Sequence, residues 1–180
     1  KHVKGTDNVM YKMGLNRTNI QFVAEHNLLI GRLTMSAGVV GVKNSWAEMN
    51  VKVYPSINAS YRFGDAWKVY ASYNTSLRMP SVTELFYSVG GHKADPNLKP
   101  EELSAVEVGV KYNKRGLSGT VSSFYNHHTD LIDWIDDGEK DAAGAILWKS
   151  VNFGTINALG FETTLNADFR QLLPSQKLLK

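Results

Sequence analysis

The sequence predicts an all-β fold, an antiparallel meander of about seven strands, and three observations predict it. Apolar residues recur at every second position over several stretches of about eight residues. The links between those stretches are of two kinds, short glycine-bearing turns and long loops, and the kinds alternate. No run of eighteen apolar residues occurs and mean hydropathy is -0.26, which excludes a helical membrane span. That test says nothing about barrel strands, which show lipid only every second side chain.

Taken in order, weaker alternation over residues 20–30 and 33–42 gives two strands joined by a turn at Gly31. Over 56–63 the odd positions are Ile57, Ala59, Tyr61 and Phe63 and the even ones Ser56, Asn58, Ser60 and Arg62, so all eight obey a two-residue period. After a turn at 64–66, Trp67, Val69, Ala71 and Tyr73 face one way and Lys68, Tyr70, Ser72 and Asn74 the other. Next, Val106, Val108, Val110 and Tyr112 alternate with Ala105, Glu107, Gly109 and Lys111. On a helix those four apolar residues would scatter around the axis. Past a turn at 114–116, a further strand runs over 117–125 and continues towards Ile135. Leu159, Phe161, Leu165, Ala167 and Phe169 define the last, and their phase reaches back through Phe153 and Val151, as in one long strand. The long links are 43–53, 77–103 and 136–147.

About 9 to 11 tilted residues cross a bilayer core, and several of these segments fit. Phe63, Trp67, Tyr112 and Phe169 stand beside short turns or strand ends, where an interfacial aromatic girdle belongs. A soluble sandwich or lipocalin-like barrel with its apolar face turned inwards has the same periodicity, and the pattern alone does not separate the two.

Composition narrows the function classes. The 180 residues carry 20 Lys and Arg against 17 Asp and Glu, a net charge of +3 without a block of five like charges, so no nucleic-acid partner is implied. Zero cysteines exclude a disulfide framework, a thiolate zinc site, an iron-sulfur cluster and a cysteine nucleophile. The chain opens Lys1-His2-Val3-Lys4 with no apolar signal core, and a removed leader or a cut-out segment fits equally.

A central stretch is more specific. Tyr70-Ala71-Ser72-Tyr73-Asn74 is followed by Leu77-Arg78-Met79-Pro80-Ser81-Val82-Thr83-Glu84-Leu85-Phe86, by Asp95-Pro96-Asn97-Leu98-Lys99-Pro100-Glu101 and by Glu107-Val108-Gly109. Later come Tyr125-Asn126 with Leu131-Ile132, and Asn152-Phe153 with Gly160-Phe161-Glu162. In order and spacing this resembles the C-terminal half of TonB-dependent outer-membrane receptors, of the type that takes cobalamin, ferric siderophores or haem. Asp95 stands where that family usually has Asn or a small residue, and Leu77 where Phe is common.

The resemblance implies a 22-stranded transmembrane β-barrel closed by an N-terminal plug, located in the bacterial outer membrane. Such a receptor binds a scarce nutrient outside and is worked by the TonB complex from inside. Residues 1–180 are then expected to be a partial barrel domain, about seven strands without the plug, whose partners are outer-membrane lipid, TonB through the missing plug, and a small-molecule metal chelate or cobalamin. No cofactor is implied. The motif positions that the resemblance singles out as structural are Arg78, Pro80, Glu84, Pro96, Asn97, Pro100, Glu101, Glu107, Gly109, Asn152, Gly160 and Glu162, with Arg78 and Glu84 as anchors pairing with each other or the plug. Ser56, Asn58, Ser60, Arg62, Lys68, Ser72, Asn74, Glu107 and Lys111 would form a wet wall facing the plug or the path. In loop 77–103, Phe86, Tyr87, His92, Lys93 and Asp95 mix aromatic area with polar groups that suit a bulky chelate.

Residues 126–141 hold His127, His128, Asp130, Asp133, Asp136, Asp137, Glu139 and Asp141, which read either as a calcium or chelate site or as a solvated acidic tip. The ligand pattern of a calcium loop is missing, and neighbouring histidines on a strand point opposite ways. No nucleophile, base and orienting group form a recognisable local signature, so no catalytic residue is assigned. The alternatives to the importer are a soluble β-sheet ligand-binding module and a glycan importer of the same superfamily.

Overall fold

A computed structural model of the chain describes residues 2–5, 15–45 and 50–172. Among these described residues, eleven strands and two short helices follow one another. They are β1 (His2–Gly5), β2 (Leu15–Ile30), β3 (Leu33–Asn44), β4 (Lys52–Phe63), β5 (Trp67–Arg78), α1 (Val82–Phe86), β6 (His92–Lys93), β7 (Glu101–Lys114), β8 (Leu117–Thr129), β9 (Ile132–Lys140), β10 (Ile146–Asn152), β11 (Ile156–Ala167) and α2 (Phe169–Leu172). Eight strands make one antiparallel sheet in the order β1-β2-β3-β4-β5-β7-β8-β11, and a second sheet has the order β6-β10-β9.

Register carries the period-two pattern across the main sheet. Ala59, Ala71, Val108, Ser123 and Phe161 lie in one row, as do Ile57, Tyr73, Val106, Tyr125 and Leu159. The opposite face carries Asn58, Ser72, Glu107, Phe124 and Gly160 in one row and Ser60, Tyr70, Gly109, Ser122 and Glu162 in the next. Phe63, Trp67 and Tyr112 are paired beside the short turns, and the Trp67 and Tyr112 rings lie 4.7 Å apart.

The apolar face is bare. Leu159 is 80% exposed, Leu165 75% and Phe161 68%, and among the described residues no second layer covers them. A soluble sandwich or closed ligand barrel buries this face, whereas a membrane-spanning strand turns it to lipid. The buried side chains cluster instead at the end of the sheet where the long loops gather: Val42 with Tyr54, and Leu85 with Leu98 and Ile132.

Three expectations on element boundaries are corrected. The long strand read from Val151 to Phe169 is two strands in different sheets, because Gly154 at φ +110° turns the chain between β10 and β11, and Phe169 falls in α2. The strand running on towards Ile135 likewise breaks at Asp130, which adopts φ +53°, and β9 starts afresh at Ile132. Segment 136–147, read as a loop, is mostly hairpin: β9 runs to Lys140 and β10 opens at Ile146. Part of loop 43–53 lies outside the described residues.

Candidate functional site

The chain leaves β5 at Arg78 and re-enters the sheet at Glu101, which are paired neighbours, so the intervening segment is closed at its base. Arg78 donates through Nε to Glu101 Oε2 at 2.6 Å and through Nη2 to Oε1 at 2.7 Å, a two-pronged charge-assisted contact. Its Nη1 also reaches both Glu84 carboxylate oxygens at 3.1 Å. Arg78 and Glu84, the two anchor candidates, therefore meet each other, and Glu101 is the third member.

Glu84 has a second task. Its carboxylate accepts from the Ser81 N–H at 2.7 Å while the Ser81 hydroxyl accepts from the Glu84 N–H, a reciprocal cap that starts α1 directly after the buried Pro80. Helix α1 then drops Leu85 onto Leu98 and Ile132, with Phe86 packed alongside. Asp95 Oδ1 accepts from the Asn97 N–H at 2.8 Å, fixing the Asp95-Pro96-Asn97 turn that delivers Leu98 to that core and leads to the buried Pro100.

Glu101 also accepts the Ile132 N–H at 2.8 Å, tying the base of the loop to β9. The group lies five residues beyond Val106, above the apolar band. There the Arg78 fork holds the Glu101 carboxyl below the usual carboxylate range against an opposing effect of burial, with the Ile132 N–H helping. Asn152 completes the arrangement. Its Nδ2 donates to the carbonyls of Lys99 at 3.0 Å and Asp130 at 2.7 Å, and its Oδ1 accepts the Lys99 N–H at 2.9 Å. One amide side chain thus joins three connections.

Above these anchors, Tyr87, His92 and Trp134 stack edge to face, with centroids 5.6 and 5.3 Å apart. His92 is paired with Trp148, which is 42% exposed, and Lys93 beside it is exposed. Of the five ligand candidates, the structure places Tyr87, His92 and Lys93 by the outer hairpin. Phe86 is packed against the small core, and Asp95 is engaged in its turn. Sequence reasoning misses Trp134, Trp148 and Lys149, which sit on β9 and β10.

The acidic segment is occupied with its own turns. Asp136 Oδ1 accepts the Gly138 N–H, Asp137 Oδ1 the Glu139 N–H, and Asp141 Oδ1 the N–H groups of Ala143 and Ala145. Lys149 sits 2.6 Å from both Asp137 and Glu139, which holds the Asp137 carboxyl low and the Lys149 ammonium high. Among the described residues no three His, Asp or Glu side chains stand together as a metal site. His127 Nδ1 lies 2.6 Å from Asn157 Oδ1, whereas His128 falls on the opposite face in the row of Leu103 and Ile156.

On the polar face of the sheet, the Glu107-x-Gly109 and Gly160-x-Glu162 motifs solve one packing problem twice. The Tyr70 ring lies flat over Gly109, where an added Cβ would stand 2.5 Å from the ring, and its hydroxyl donates to Glu107 at 2.7 Å. The Phe124 ring covers Gly160, where a Cβ would stand 2.0 Å from it. A shallow groove of about 270 Å³ runs along this wall past Ser72, Asn74, Glu107, Phe124, Asn126 and Glu162.

A single antiparallel sheet with a bare apolar band on one face, a polar wall on the other and its long loops locked together at one end is the wall of a membrane-spanning β-barrel. The chain belongs to the TonB-dependent receptors: residues 5–178 match the family described as TonB dependent receptor-like, beta-barrel, whose members lie in the bacterial outer membrane.

Solved structures of similar fold include the siderophore receptor PirA from Pseudomonas aeruginosa, at 17% identity and a TM-score of 0.75 over 85% of this chain and 32% of that one. The ferric enterobactin receptor PfeA from Pseudomonas aeruginosa gives 20% identity and 0.69, over 85% and 25%. The FrpB iron transporter from Neisseria meningitidis gives 18% and 0.61, over 86% and 24%. This chain therefore spans about a third or less of the length of those receptors, and the likeness is one of fold.

Proposed function

We propose that these residues form part of the barrel wall and outer vestibule of a receptor that binds a ferric siderophore outside the cell and imports it with TonB-derived energy. The observation that carries this reading is the outer hairpin. Together with β6 and the segment before it, the hairpin presents Tyr87, His92, Trp134 and Trp148 with the cation of Lys93, a surface suited to a bulky, flat-sided, anionic chelate. Haem and cobalamin offer similar apolar area, and the siderophore class is favoured because similar folds include receptors named for siderophores, ferric enterobactin and iron. Phe86 and Asp95 support the vestibule from below. Import of this kind needs no bond chemistry from the wall, only affinity that differs between resting and TonB-engaged states.

The test is accumulation of iron-55 siderophores by iron-starved cells carrying the whole receptor, with unlabelled siderophore, haem or cobalamin as competitor. Uptake competed by siderophore alone and abolished by a protonophore is the expected result. Competition by haem or cobalamin would replace the ligand class, and uptake indifferent to the protonophore would overturn the transport reading.

A further inference from the structure

The lipid-facing side of the sheet carries a polar cluster that neither the loop anchors nor the proposed nutrient surface uses. Tyr73, Val106, Tyr125 and Leu159 form one row of the apolar face. Two residues further along each strand, on the same face, Thr75, Ser104, His127 and Asn157 form the next. Between Tyr112 and Ser104, β7 climbs eight residues, about 27 Å along the strand and about 21 Å along the membrane normal at a tilt of roughly 40°. A barrel's apolar band is about 25 Å tall, so this row stands where hydrocarbon gives way to headgroups. The exposed Tyr125 ring lies just below it, as an interfacial aromatic does.

The cluster is built around one amide. Asn157 Oδ1 accepts the Tyr125 O–H at 2.9 Å and the His127 Nδ1–H at 2.6 Å. Those two donors occupy both lone pairs of the oxygen and so orient the side chain, leaving the two N–H donors of Nδ2 on its other edge. Asn157 is exposed. His127, donating through Nδ1, presents Nε2 as an acceptor in its neutral form. Ser104 is paired directly with His127 and adds a hydroxyl. Neither Lys nor Arg stands in the row, and Glu102 in the row beyond is engaged by Lys52 and by the Tyr54 hydroxyl.

We infer that Asn157, His127 and Ser104, with the Tyr125 ring below them, bind the uncharged sugar headgroup of a glycolipid in the outer leaflet. A sugar offers neighbouring hydroxyls that each donate and accept, and an apolar C–H face that packs on an aromatic ring. The row supplies the matching set: amide donors, an imidazole acceptor, a hydroxyl able to do either, and a ring. A phosphate calls for Lys or Arg, which the row lacks. Continuity with the bare apolar face fixes the source of the sugar, because a molecule seated here has its acyl chains on the band below. The site shares with the proposed function only the placement of the long loops outside, and it does not depend on which nutrient is bound.

The test is native mass spectrometry of the whole receptor, released from micelles that hold equal amounts of monoglucosyl diacylglycerol and phosphatidylglycerol with the same acyl chains. The receptor should retain the sugar lipid in about threefold or greater excess, the worth of one hydrogen bond. Asn157→Leu should bring the ratio to parity with heat-modifiable mobility unchanged, since an apolar side chain is tolerated on this face. His127→Phe should do the same and removes the site independently should Asn157→Leu fail to assemble. Equal retention by the unmodified receptor overturns the inference. An excess of phosphatidylglycerol would make the occupant a phosphate headgroup, and an excess of sugar lipid that survives both substitutions would place the contact elsewhere; either result overturns it as well. Siderophore uptake failing while the lipid ratio holds would count against the nutrient reading alone.

Discussion

The two ends of the sheet are built on opposite plans. At the long-loop end, the Arg78–Glu84–Glu101 cluster and the three Asn152 contacts lock the connections over a small core of Leu85, Leu98 and Ile132. At the short-turn end the links are tight turns, the aromatic rings of Phe63, Trp67 and Tyr112 line the apolar face, and the polar face shows a run of cations. The difference teaches where each region draws its stability. The outer end is held by directional bonds made within the chain, whereas the spanning band is held by its ladder and by whatever covers its two faces.

The largest effect should come from breaking the band. Val108→Arg puts a charge in the middle of the apolar face and should cost roughly 2 to 4 kcal/mol of membrane-inserted stability. Ser72→Arg, paired with Glu107 on the opposite face, should leave assembly intact. Heat-modifiable mobility of the whole receptor on gels reads both, and equal folded yields would reverse the facing of the strands. Next, Asn152→Ala should remove about 2 kcal/mol of local stability at the outer end and leave the band untouched. Accelerated proteolysis within residues 79–100, with an unaltered melting of the barrel, would sharpen the contrast between the ends.

A smaller loss, about 1 to 2 kcal/mol, is expected for Gly160→Ala, because the new methyl group displaces the Phe124 ring. Phe124→Ala in the same chain should recover part of it, and a urea midpoint series gives the coupling. The smallest effect is one of pH. The folded-state pKa of Glu101 is lowered, so its contribution is fully present above the ordinary glutamate value and is lost as pH falls through the lowered one. Protease resistance of the 79–100 segment should hold at mildly acidic pH and fail only below the usual carboxylate range. Failure at the ordinary glutamate value would mean that the Arg78 fork does not act on Glu101.

Much of this was legible in the sequence, for a physical reason. A strand that sorts lipid from water must alternate, so 56–63, 67–74 and 105–112 announce themselves, and tight turns need residues such as Gly31, Gly64 and Gly116. The anchors were legible through their motif: Arg78, Glu84 and Glu101 bracket a proline-bearing segment that has to close on itself. The outer sheet was not. Only three residues separate β10 from β11, and the apolar Val151 and Phe153 fall in the same odd phase as Leu159 and Phe161, so the two runs read as one although the chain turns at Gly154. Asp130 hides the break between β8 and β9 in the same way. Periodicity reports which way a side chain faces and is silent on which sheet it belongs to. Trp134 and Trp148 were lost with that distinction.

Asn152 holds its neighbours by their main-chain atoms, gripping the carbonyl and amide of residue 99 and the carbonyl of residue 130. At position 99 every residue but proline offers those same atoms, so the clasp is indifferent to the side chain there. Position 130, at φ +53°, keeps to the few residues that tolerate a left-handed backbone. What residue 99 displays to its surroundings can therefore be rewritten without loosening the joint on which the display is mounted.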